Sequence, residues 1–354
     1  MLWAIMMAGG AGTRFWPESR EKNPKQFLPL FGRRTLFEET LQRIQPLIPQ
    51  SRVIVVTQKR YESQVRKLGK IPTAQIIGET VGRNTAPCVA LAASFIIKKD
   101  PNAVLAILPS DHRIGKPALF RVILRTARVT ADRHGFPVTF GMKPAFPHTG
   151  YGYLEIEKLF EKMKGRPVYR LKRFHEKPAL SRARAFLKTG RFLWNSGMFV
   201  WRADQLLEAT RLYLPKVWRI VGELSSPRND KKFAKLYPRM PNISIDKGLM
   251  EPLRGKILTI PADIEWCDLG GWQAFQDLWP RDSQGNVTQG KQILTAGCRD
   301  NLIRGGKRLM ALAGVRDLVV VDTEDALLIV SKDKVESLRE IVAMLRKRGW
   351  RKYL

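Results

Sequence analysis

An alternation of short apolar runs and helical patterns fills the first 140 residues and constrains the fold more than any other feature. Four runs are apolar almost throughout, as buried parallel strands are, and lie at residues 2–7, 53–56, 75–77 and 103–108. Three helical patterns lie between them, at residues 35–44, 59–68 and 85–98, the last after the candidate N-cap Asn84. Strand–helix–strand repetition predicts an α/β fold with a doubly wound, mostly parallel, Rossmann-like sheet that binds ligands at the carboxyl ends of its strands.

Beyond residue 150 the pattern is mixed, and later it becomes rich in turns. Strands are expected near residues 151–156, 168–174 and 198–201, and helices near residues 180–189 and 203–213. We interpret these elements as additions to the first domain that cover the open end of its sheet. After Asp282, turns separate short apolar runs, and a capping box at Asp333 is expected to open a final helix. We therefore predict a ligand-binding domain over residues 1–281 and a small β-rich domain over residues 282–354.

The net charge of +30 is the one unusual property of the composition. Nucleic acid or another polyanion is one partner that this charge suggests, and a solvated basic surface is the other interpretation. The basic residues are spread along the chain and match no nucleic-acid-binding motif. We therefore favour the solvated surface, which would also attract a phosphorylated substrate.

The cysteines and the apolar runs bear on the compartment. The three cysteines, Cys88, Cys267 and Cys298, are far apart in the sequence, and their odd number does not allow all of them to form disulfides within the chain. This pattern is typical of free thiols in a reducing cytoplasm. No stretch reaches the roughly 18 consecutive apolar residues that a membrane span requires. We expect a cytoplasmic protein that does not enter a membrane.

The stretch "MMAGGAGTRFWP" forms a loop directly after the first predicted strand. Its glycines and the polar residues after them are Gly9, Gly10, Gly12, Thr13 and Arg14. Glycines allow successive backbone N–H groups to point into one concavity that binds an anion, although the spacing is that of neither a dinucleotide-binding nor a Walker A loop. A plain tight turn is the alternative. Arg14 and the downstream Lys25 favour a phosphate site, because a guanidinium and an ammonium can hold charge that leaves during a reaction.

This loop, together with "NPKQFLPL", resembles the signature of the sugar-1-phosphate nucleotidyltransferases, and its details are similar to the mannose-1-phosphate guanylyltransferases. Further stretches agree in order: "GETVGRNTAP", "LPSDH", "HTGYGY", "FHEKP", "WNSGMF", "SIDKGLMEP" and "WCDLGGW". The resemblance covers nearly all of residues 3–275, and "DLVVVDTEDALLIV" extends it toward the C-terminus. It implies synthesis of GDP-mannose and pyrophosphate from GTP and mannose 1-phosphate. It also implies a short left-handed β-helix-like element in the C-terminal domain and a possible homodimer through that domain.

Two acidic residues are candidates for binding Mg²⁺. Asp111 follows a buried strand, and Asp268 lies before the glycine pair Gly270 and Gly271. Two carboxylates suit Mg²⁺ when substrate phosphates complete its coordination, and the resemblance implies this same pair. Asp111 capping a turn is the alternative. The family usually has serine at the position of Gly271, so this chain departs from the pattern in the predicted metal loop.

On the nucleotide side, the resemblance implies binding by Ala8, Gly9, Gly10, Gly12, Thr13, Glu79, Arg83, Asn84 and Ser110. Guanine presents N–H donors at N1 and N2, so an acceptor such as Glu79 would favour it over adenine. Glu79 capping the following loop is the alternative.

On the sugar-phosphate side, the resemblance implies binding by Gly150, Tyr151, Glu176, Lys177 and Asn195. A carboxylate accepts hydrogen bonds from sugar hydroxyls, an ammonium neutralises phosphate, and Asn195, expected in a tight Asn-Ser-Gly turn, offers donor and acceptor. Alternatively, Glu176 and Lys177 form a surface ion pair, and Gly150, Gly152 and Asn195 are hairpin residues.

The implied chemistry needs no general base, because a phosphate monoester with a second pKa of about 6 is largely dianionic at neutral pH. The catalytic residues are then Arg14, Lys25, Asp111 and Asp268, which with Mg²⁺ and Lys177 position and neutralise the phosphates. We expect a monofunctional enzyme. The alternatives are a nucleotidyltransferase for another sugar or base, a non-catalytic regulatory protein on the same scaffold, and a polyanion-binding module.

Overall fold

The structure, a computed structural model, describes residues 1–10, 12–224 and 231–354, and the chain divides into two compact units. The first unit comprises Met1–Gly9, Glu38–Ser110 and Ile114–Trp266. The second unit comprises Gly10–Phe37, Asp111–Arg113 and Cys267–Leu354. Two short segments from the N-terminal third therefore belong to the same unit as the C-terminal part.

The described residues form strands and helices as follows. The strands are β1 (Leu2–Ala8), β2 (Val53–Gln58), β3 (Ile76–Glu79), β4 (Val104–Pro109), β5 (Arg113–Ile114), β6 (Val138–Met142), β7 (Tyr153–Met163), β8 (Arg166–His175), β9 (Phe192–Arg202), β10 (Leu258–Pro261), β11 (Trp266–Cys267), β12 (Val287–Gln289), β13 (Ile293–Ala296), β14 (Leu302–Arg304), β15 (Met310–Ala313), β16 (Leu318–Asp322) and β17 (Leu327–Ser331). The α-helices are α1 (Leu36–Ile44), α2 (Glu62–Gly69), α3 (Thr85–Ile97), α4 (Pro117–His134), α5 (Leu180–Thr189), α6 (Ala203–Tyr213), α7 (Pro215–Glu223), α8 (Lys231–Leu236) and α9 (Leu338–Lys347).

The first unit is built on a nine-stranded sheet in the order β3-β2-β1-β4-β9-β6-β10-β8-β7. Strands β3, β2, β1 and β4 are parallel, and β9 runs antiparallel between β4 and β6. The α/β fold predicted from the alternating pattern is confirmed. The elements after residue 150 extend the sheet, however, instead of covering its open end, because β7 to β10 find hydrogen-bonding partners in it.

The core of the first unit is centred on α3, which is apolar on nearly all sides. Residues from Ala86 to Ala93 in this helix are buried, and the helix packs against α6 and α7. A helix that is apolar all round is stable only in the interior. Each fully buried large aliphatic side chain contributes about 1.5–3 kcal/mol to the stability of the fold. Helix α3 therefore helps to fix β3, which precedes it in the chain, and β4, which follows it.

Parallel ladders dominate the β-rich part of the second unit. Strands β12, β14 and β16 pair in parallel, β13 pairs in parallel with β15, and β17 pairs antiparallel with β16. Two buried asparagines join successive turns: Asn301 donates to Oδ1 of Asn286 over 2.9 Å and accepts from the Leu318 N–H over 3.0 Å. The stretch "DLVVVDTEDALLIV" forms β16 and β17, joined by a polar turn.

One local expectation is wrong, and two elements were not predicted. The predicted capping box at Asp333 does not open the last helix, since residues Lys332–Ser337 form a 3₁₀ turn and α9 begins at Leu338. Helix α4 and strand β6 were not predicted, although Phe120, Ile123, Leu124 and Ala127 repeat at helical spacing. Among the described residues, no helix has the length and apolar character to cross a lipid bilayer.

Candidate functional site

Gly12 lies in the second unit against the backbone of Lys25. Its φ is +62°, and a Cβ at this position would lie 2.6 Å from Cβ of Lys25 and 2.7 Å from its backbone nitrogen. Only glycine fits such a left-handed and crowded position. The glycine at this point of the loop therefore allows the Lys25 backbone to approach the loop.

The ammonium of Lys25 joins two acidic segments of the second unit. Its Nζ lies 2.8 Å from Oδ2 of Asp111 and donates to the backbone carbonyls of Asp268 and Leu269 over 2.7 and 3.0 Å. The Lys25 side chain is only 7% exposed, whereas that of Asp111 is 35% exposed. Lys25 thus orients the segments that carry both predicted metal ligands.

Arg14 contacts the same acidic loop. Its Nη1 donates to the carbonyl of Gly270 over 3.0 Å, and a Cβ at Gly270 would be 3.4 Å from the carboxylate of Asp268. At Gly271, where the family usually has serine, the nearest atom that a Cβ would meet among the described residues, its chain neighbours aside, is Cβ of Arg14, at 3.8 Å. The structure therefore has room for a side chain at this position. The four predicted catalytic residues Arg14, Lys25, Asp111 and Asp268 all lie in this region of the second unit.

The segment that follows the glycine loop is fixed to the C-terminal end of the second unit. The indole of Trp16 donates to the carbonyl of Tyr353 over 2.8 Å, and Arg20 donates to the same carbonyl over 2.6 Å. Arg20 also pairs with Asp325 at 2.7 Å. The last turn of the chain therefore supports the loop that carries Arg14 and Lys25.

Glu79 is buried in the first unit at the end of β3. Tyr237 donates its hydroxyl to Oε1 of Glu79, and the backbone N–H of Arg83 also bonds to the carboxylate. A Cβ on Gly9 would lie 3.4 Å from the other carboxylate oxygen, Oε2. The loop-capping contact that we considered for Glu79 is present, and Tyr237 is a partner that the sequence did not indicate.

Other residues predicted on the nucleotide side have structural contacts in the first unit. Asn84 accepts from the N–H of Thr85 over 2.9 Å and caps α3, as predicted. Ser110 is buried, with its hydroxyl bonded to the carbonyl of Met7 over 2.9 Å. Thr57 donates to the carbonyl of Ala8 over 2.8 Å. These bonds fix the ends of the parallel strands.

The sugar-side residues of the first unit are close together around Gly152. A Cβ at Gly152 would lie 3.1 Å from Oε2 of Glu176 and 3.4 Å from Cβ of Asn195. The backbone N–H of Asn195 donates to the carbonyl of Gly152 over 2.8 Å. We call Gly152, Glu176, Asn195 and Asp246, whose Oδ1 accepts from Asn195 over 2.9 Å, the sugar-side cluster.

One expectation for this region is wrong. Asn195 does not lie in a tight turn: it is inside β9, which at this point pairs with β6 on one side and β7 on the other, and Gly197 lies in the same strand at φ +66°. Lys177 forms the alternative ion pair with Glu176, at 3.2 Å, and its side chain is 62% exposed. Gly150 and Tyr151 fold onto His148, whose ring stacks on Tyr151 at 3.8 Å between centroids.

Comparison with known proteins decides the family. Residues 3–285 match the family described as Nucleotidyl transferase, and residues 292–345 match the MannoseP isomerase/GMP-like beta-helix domain. The chain belongs to the nucleotidyl transferase family.

Similar proteins match nearly the whole of this nucleotidyl transferase. It is 36% identical to the Mannose-1-phosphate guanylyltransferase 2 of Escherichia coli O157:H7, over 97% of this chain and 73% of that protein. It is 35% identical to the Xanthan biosynthesis protein XanB of Xanthomonas campestris, over 98% of this chain and 73% of that protein. A crystal structure described as mannose-1-phosphate geranyltransferase from Thermus thermophilus has a TM-score of 0.88 and 32% identity, covering 98% of this chain and 99% of that one.

The electrostatics of this nucleotidyl transferase differ between its acidic groups. Burial raises the pKa of Glu79 to about 7, although its hydrogen bonds with Tyr237 and Arg83 oppose the rise. Burial, and then the neighbouring Glu176, raise the pKa of Asp246 to about 6. For Asp111, burial also acts to raise the pKa, but the attraction of Lys25 and His112 outweighs it and lowers the pKa overall.

Nucleotidyl transferases of this family generally depend on a divalent metal, and the chemistry of Asp111 and Asp268 fits such an ion. Hard divalent cations bind oxygen ligands such as carboxylates. The lowered pKa of Asp111 keeps its carboxyl group ionised, as a metal ligand must be. Within the described residues there is no group of three or more His, Cys, Asp or Glu that could hold a metal. Two carboxylates leave coordination positions of such an ion that water or substrate oxygens can fill.

Proposed function

We propose that this protein is a mannose-1-phosphate guanylyltransferase, which converts mannose 1-phosphate and GTP to GDP-mannose and pyrophosphate. The observation that carries the proposal is the similarity to a guanylyltransferase over 97% of the chain. The contacts of Lys25 with Asp111 and the Asp268 segment support it, because they bring together a cation and two carboxylate-bearing segments, the groups that phosphate-transfer enzymes use to neutralise phosphate charge.

The reaction is an in-line substitution at phosphorus. A phosphate oxygen of mannose 1-phosphate forms a bond to the α-phosphorus of GTP, and the bond from that phosphorus to the bridging oxygen of pyrophosphate breaks. The electron pair leaves with pyrophosphate, and the dianionic nucleophile has no proton to lose. The protein contributes positioning and charge neutralisation, which we assign to Arg14 and Lys25.

We assign Mg²⁺ to Asp111 and Asp268. When bound there, Mg²⁺ supplies neutralisation of phosphate charge that develops as pyrophosphate leaves. Lys25 keeps the Asp111 carboxylate ionised and fixes the backbone beside Asp268. Arg14, which is held by the Gly270 carbonyl, lies beside this loop and can bind phosphate with its remaining N–H groups.

We propose that Glu79 selects guanine and that the remaining residues predicted on the nucleotide side, from Ala8 to Ser110, shape the nucleotide pocket. An ionised carboxylate accepts from both the N1 and the N2 donors of guanine, whereas adenine has an acceptor at N1 and a single donor group at N6. The hydrogen bond from Tyr237 occupies Oε1, and Oε2 faces the backbone at Gly9. On the sugar side we propose that Glu176 and Asn195 bind the sugar hydroxyls and that Lys177 binds the sugar phosphate. Gly150 and Tyr151 would then line the sugar pocket.

For compartment and partners, we propose a cytoplasmic enzyme that binds small anionic substrates. The free thiols of Cys88, Cys267 and Cys298 support a reducing compartment. A homodimer through the C-terminal β-rich part remains our proposal for assembly. We expect no function in nucleic-acid binding despite the net charge of +30.

A matrix of pyrophosphate-release assays tests the proposed activity. Purified protein with Mg²⁺ is given GTP, ATP, UTP or dTTP, each with mannose 1-phosphate or glucose 1-phosphate. We expect the highest kcat/KM for GTP with mannose 1-phosphate. A higher kcat/KM for another pair of substrates would show that the substrate assignment is wrong. No pyrophosphate release with any pair would refute the proposed nucleotidyl transfer.

A further inference from the structure

Asp246 is an acidic residue of the first unit with no role in the mechanism above. It begins a short π-helix, Asp246–Met250, in the stretch "SIDKGLMEP". π-helices are rare and are frequently found at functional sites. The segment is anchored to the start of α3, because the N–H of Ile245 donates to Oγ1 of Thr85 over 2.8 Å and the N–H of Ala86 donates to the carbonyl of Ile243 over 3.1 Å.

The carboxylate of Asp246 determines which way the amide of Asn195 faces. Nδ2 of Asn195 donates to Oδ1 of Asp246 over 2.9 Å, and Oδ1 of Asn195 accepts from the N–H of Gly197 over 3.2 Å. An ionised carboxylate can only accept hydrogen bonds. The amide group therefore presents its nitrogen to Asp246 and its oxygen to the strand backbone, and the opposite orientation would place two acceptors together.

Asn195 transmits this orientation to the sugar-side cluster. Its backbone is bonded to Gly152, and Gly152 lies against Glu176, which also acts on Asp246 electrostatically. A polar site that is oriented in advance binds a sugar more tightly than one that must be ordered on binding. Two nearby carboxylates and one amide with a defined orientation form a set of hydrogen-bonding groups suited to sugar hydroxyls.

We propose that Asp246 is a positioning residue for the sugar phosphate, which acts by holding the Asn195 amide in the orientation that binds the sugar ring. This inference rests on the proposed function. It adds to that function a residue that controls the affinity for the sugar phosphate and not for GTP.

Protonation of Asp246 gives the proposal a pH signature. The charged groups that act on Asp246 are Glu176, which favours its protonation, and Lys177, which opposes it. Below pH 6 the protonated carboxyl can donate as well as accept, so the orientation of Asn195 is no longer imposed. The KM for mannose 1-phosphate then rises. The substrate phosphate also titrates near pH 6, but it does so equally in every variant.

The test compares wild type with Asp246→Asn, Asp246→Ala and the control Lys247→Ala, which changes the adjacent exposed residue. For Asp246→Ala we expect the KM for mannose 1-phosphate to rise about 10- to 100-fold, with the KM for GTP changed less than about 2-fold. Asp246→Asn should show a smaller increase of KM between pH 7.5 and 5.5 than wild type shows. Lys247→Ala should match wild type in both measurements.

Equal changes in both KM values, or a loss of thermal stability with an unchanged KM, would refute the positioning role. If Asp246→Ala does not fold, the pH profile of Asp246→Asn decides: a profile identical to that of wild type overturns the proposal. If wild type is active and these variants bind mannose 1-phosphate normally, only the assignment of Asp246 fails. If wild type releases no pyrophosphate from GTP and mannose 1-phosphate, the proposed function itself fails.

Discussion

The ammonium nitrogen of Lys25 lies 2.8 Å from Oδ2 of Asp111. The same nitrogen donates to the backbone carbonyls of Asp268 and Leu269, so one buried cation connects both acidic segments of the second unit. Its charge lowers the pKa of Asp111 despite burial. Lys25 therefore affects the acidic segments as well as any phosphate that binds beside them.

Replacing Lys25 with alanine should reduce kcat by about 10²- to 10³-fold, or about 3 kcal/mol in the transition state, by analogy with loss of one oxyanion-hole donor. The reason is that the variant loses the positive charge that neutralises the phosphate and also the hydrogen bond that supports the Asp268 loop. Lys22→Ala is the control, because Lys22 is an exposed lysine of the same segment. Steady-state kinetics of both variants measure the effect. Near-normal turnover of Lys25→Ala would show that the loop does not bind the reacting phosphates.

Gly12 and Gly10 provide a matched pair of glycine substitutions. Gly12→Ala should lower the free energy of unfolding by about 1–3 kcal/mol, because its left-handed backbone and its contact with Lys25 both exclude a Cβ. Apart from its chain neighbours, no atom of the described residues lies within 4 Å of a Cβ at Gly10, so Gly10→Ala should leave stability nearly unchanged. Chemical denaturation of both variants measures the difference. Equal stability of the two would contradict the close approach of Lys25 to Gly12.

The support of the loop by the C-terminal turn predicts an effect of Arg20 on activity. Arg20→Ala removes the donor to the Tyr353 carbonyl and the ion pair with Asp325, which should reduce stability by about 1–3 kcal/mol and lower kcat. Arg33→Ala, a change at an exposed arginine of the second unit, serves as the control. Differential scanning calorimetry and turnover are measured together. Wild-type behaviour of Arg20→Ala in both would show that this turn does not position the loop.

Glu79 should make the protein less stable as the pH rises from 4.5 to about 7. In this window the folded protein binds a proton at Glu79 more tightly than the unfolded chain does, so the free energy of unfolding falls with increasing pH, by about 3 kcal/mol in total. Asp246 contributes in the same direction at lower pH. Glu79→Gln should remove the Glu79 contribution, and the difference between the two pH profiles isolates it.

The same variant tests the choice of base. If Glu79 accepts from guanine, Glu79→Gln should lower the preference for GTP over ATP in kcat/KM by at least about 10-fold. An unchanged preference would leave Glu79 with only its structural bonds to Tyr237 and Arg83.

Local patterns in the sequence were sufficient for the elements that bury one regular face. Helices α5 and α6 begin and end at the expected residues, and the Asn84 cap of α3 forms as predicted. In each case neighbouring residues alone determine the apolar stripe or the cap. The opening glycine loop and the four candidate catalytic residues were found by their motifs.

Features that depend on distant partners were not predictable in the same way. Asn-Ser-Gly is locally typical of a turn, but the flanking strands β6 and β7 keep Asn195 within β9. Asp246 gives no local signal beyond its motif, and its importance comes from a bond to a residue about fifty positions earlier. The role of Tyr237 likewise depends on a distant partner, because its hydroxyl donates to the buried carboxylate of Glu79. Such contacts follow from the tertiary fold.

Labelling of the transferred phosphorus tests the central claim most directly. The protein is incubated with mannose 1-phosphate, Mg²⁺ and GTP that is radiolabelled at either the α- or the γ-phosphate, and the products are separated. We predict that the α-label appears in GDP-mannose and the γ-label in pyrophosphate, with both products reduced together in Lys25→Ala. Label from the γ-phosphate in a sugar product, with the α-label remaining in GDP, would contradict nucleotidyl transfer.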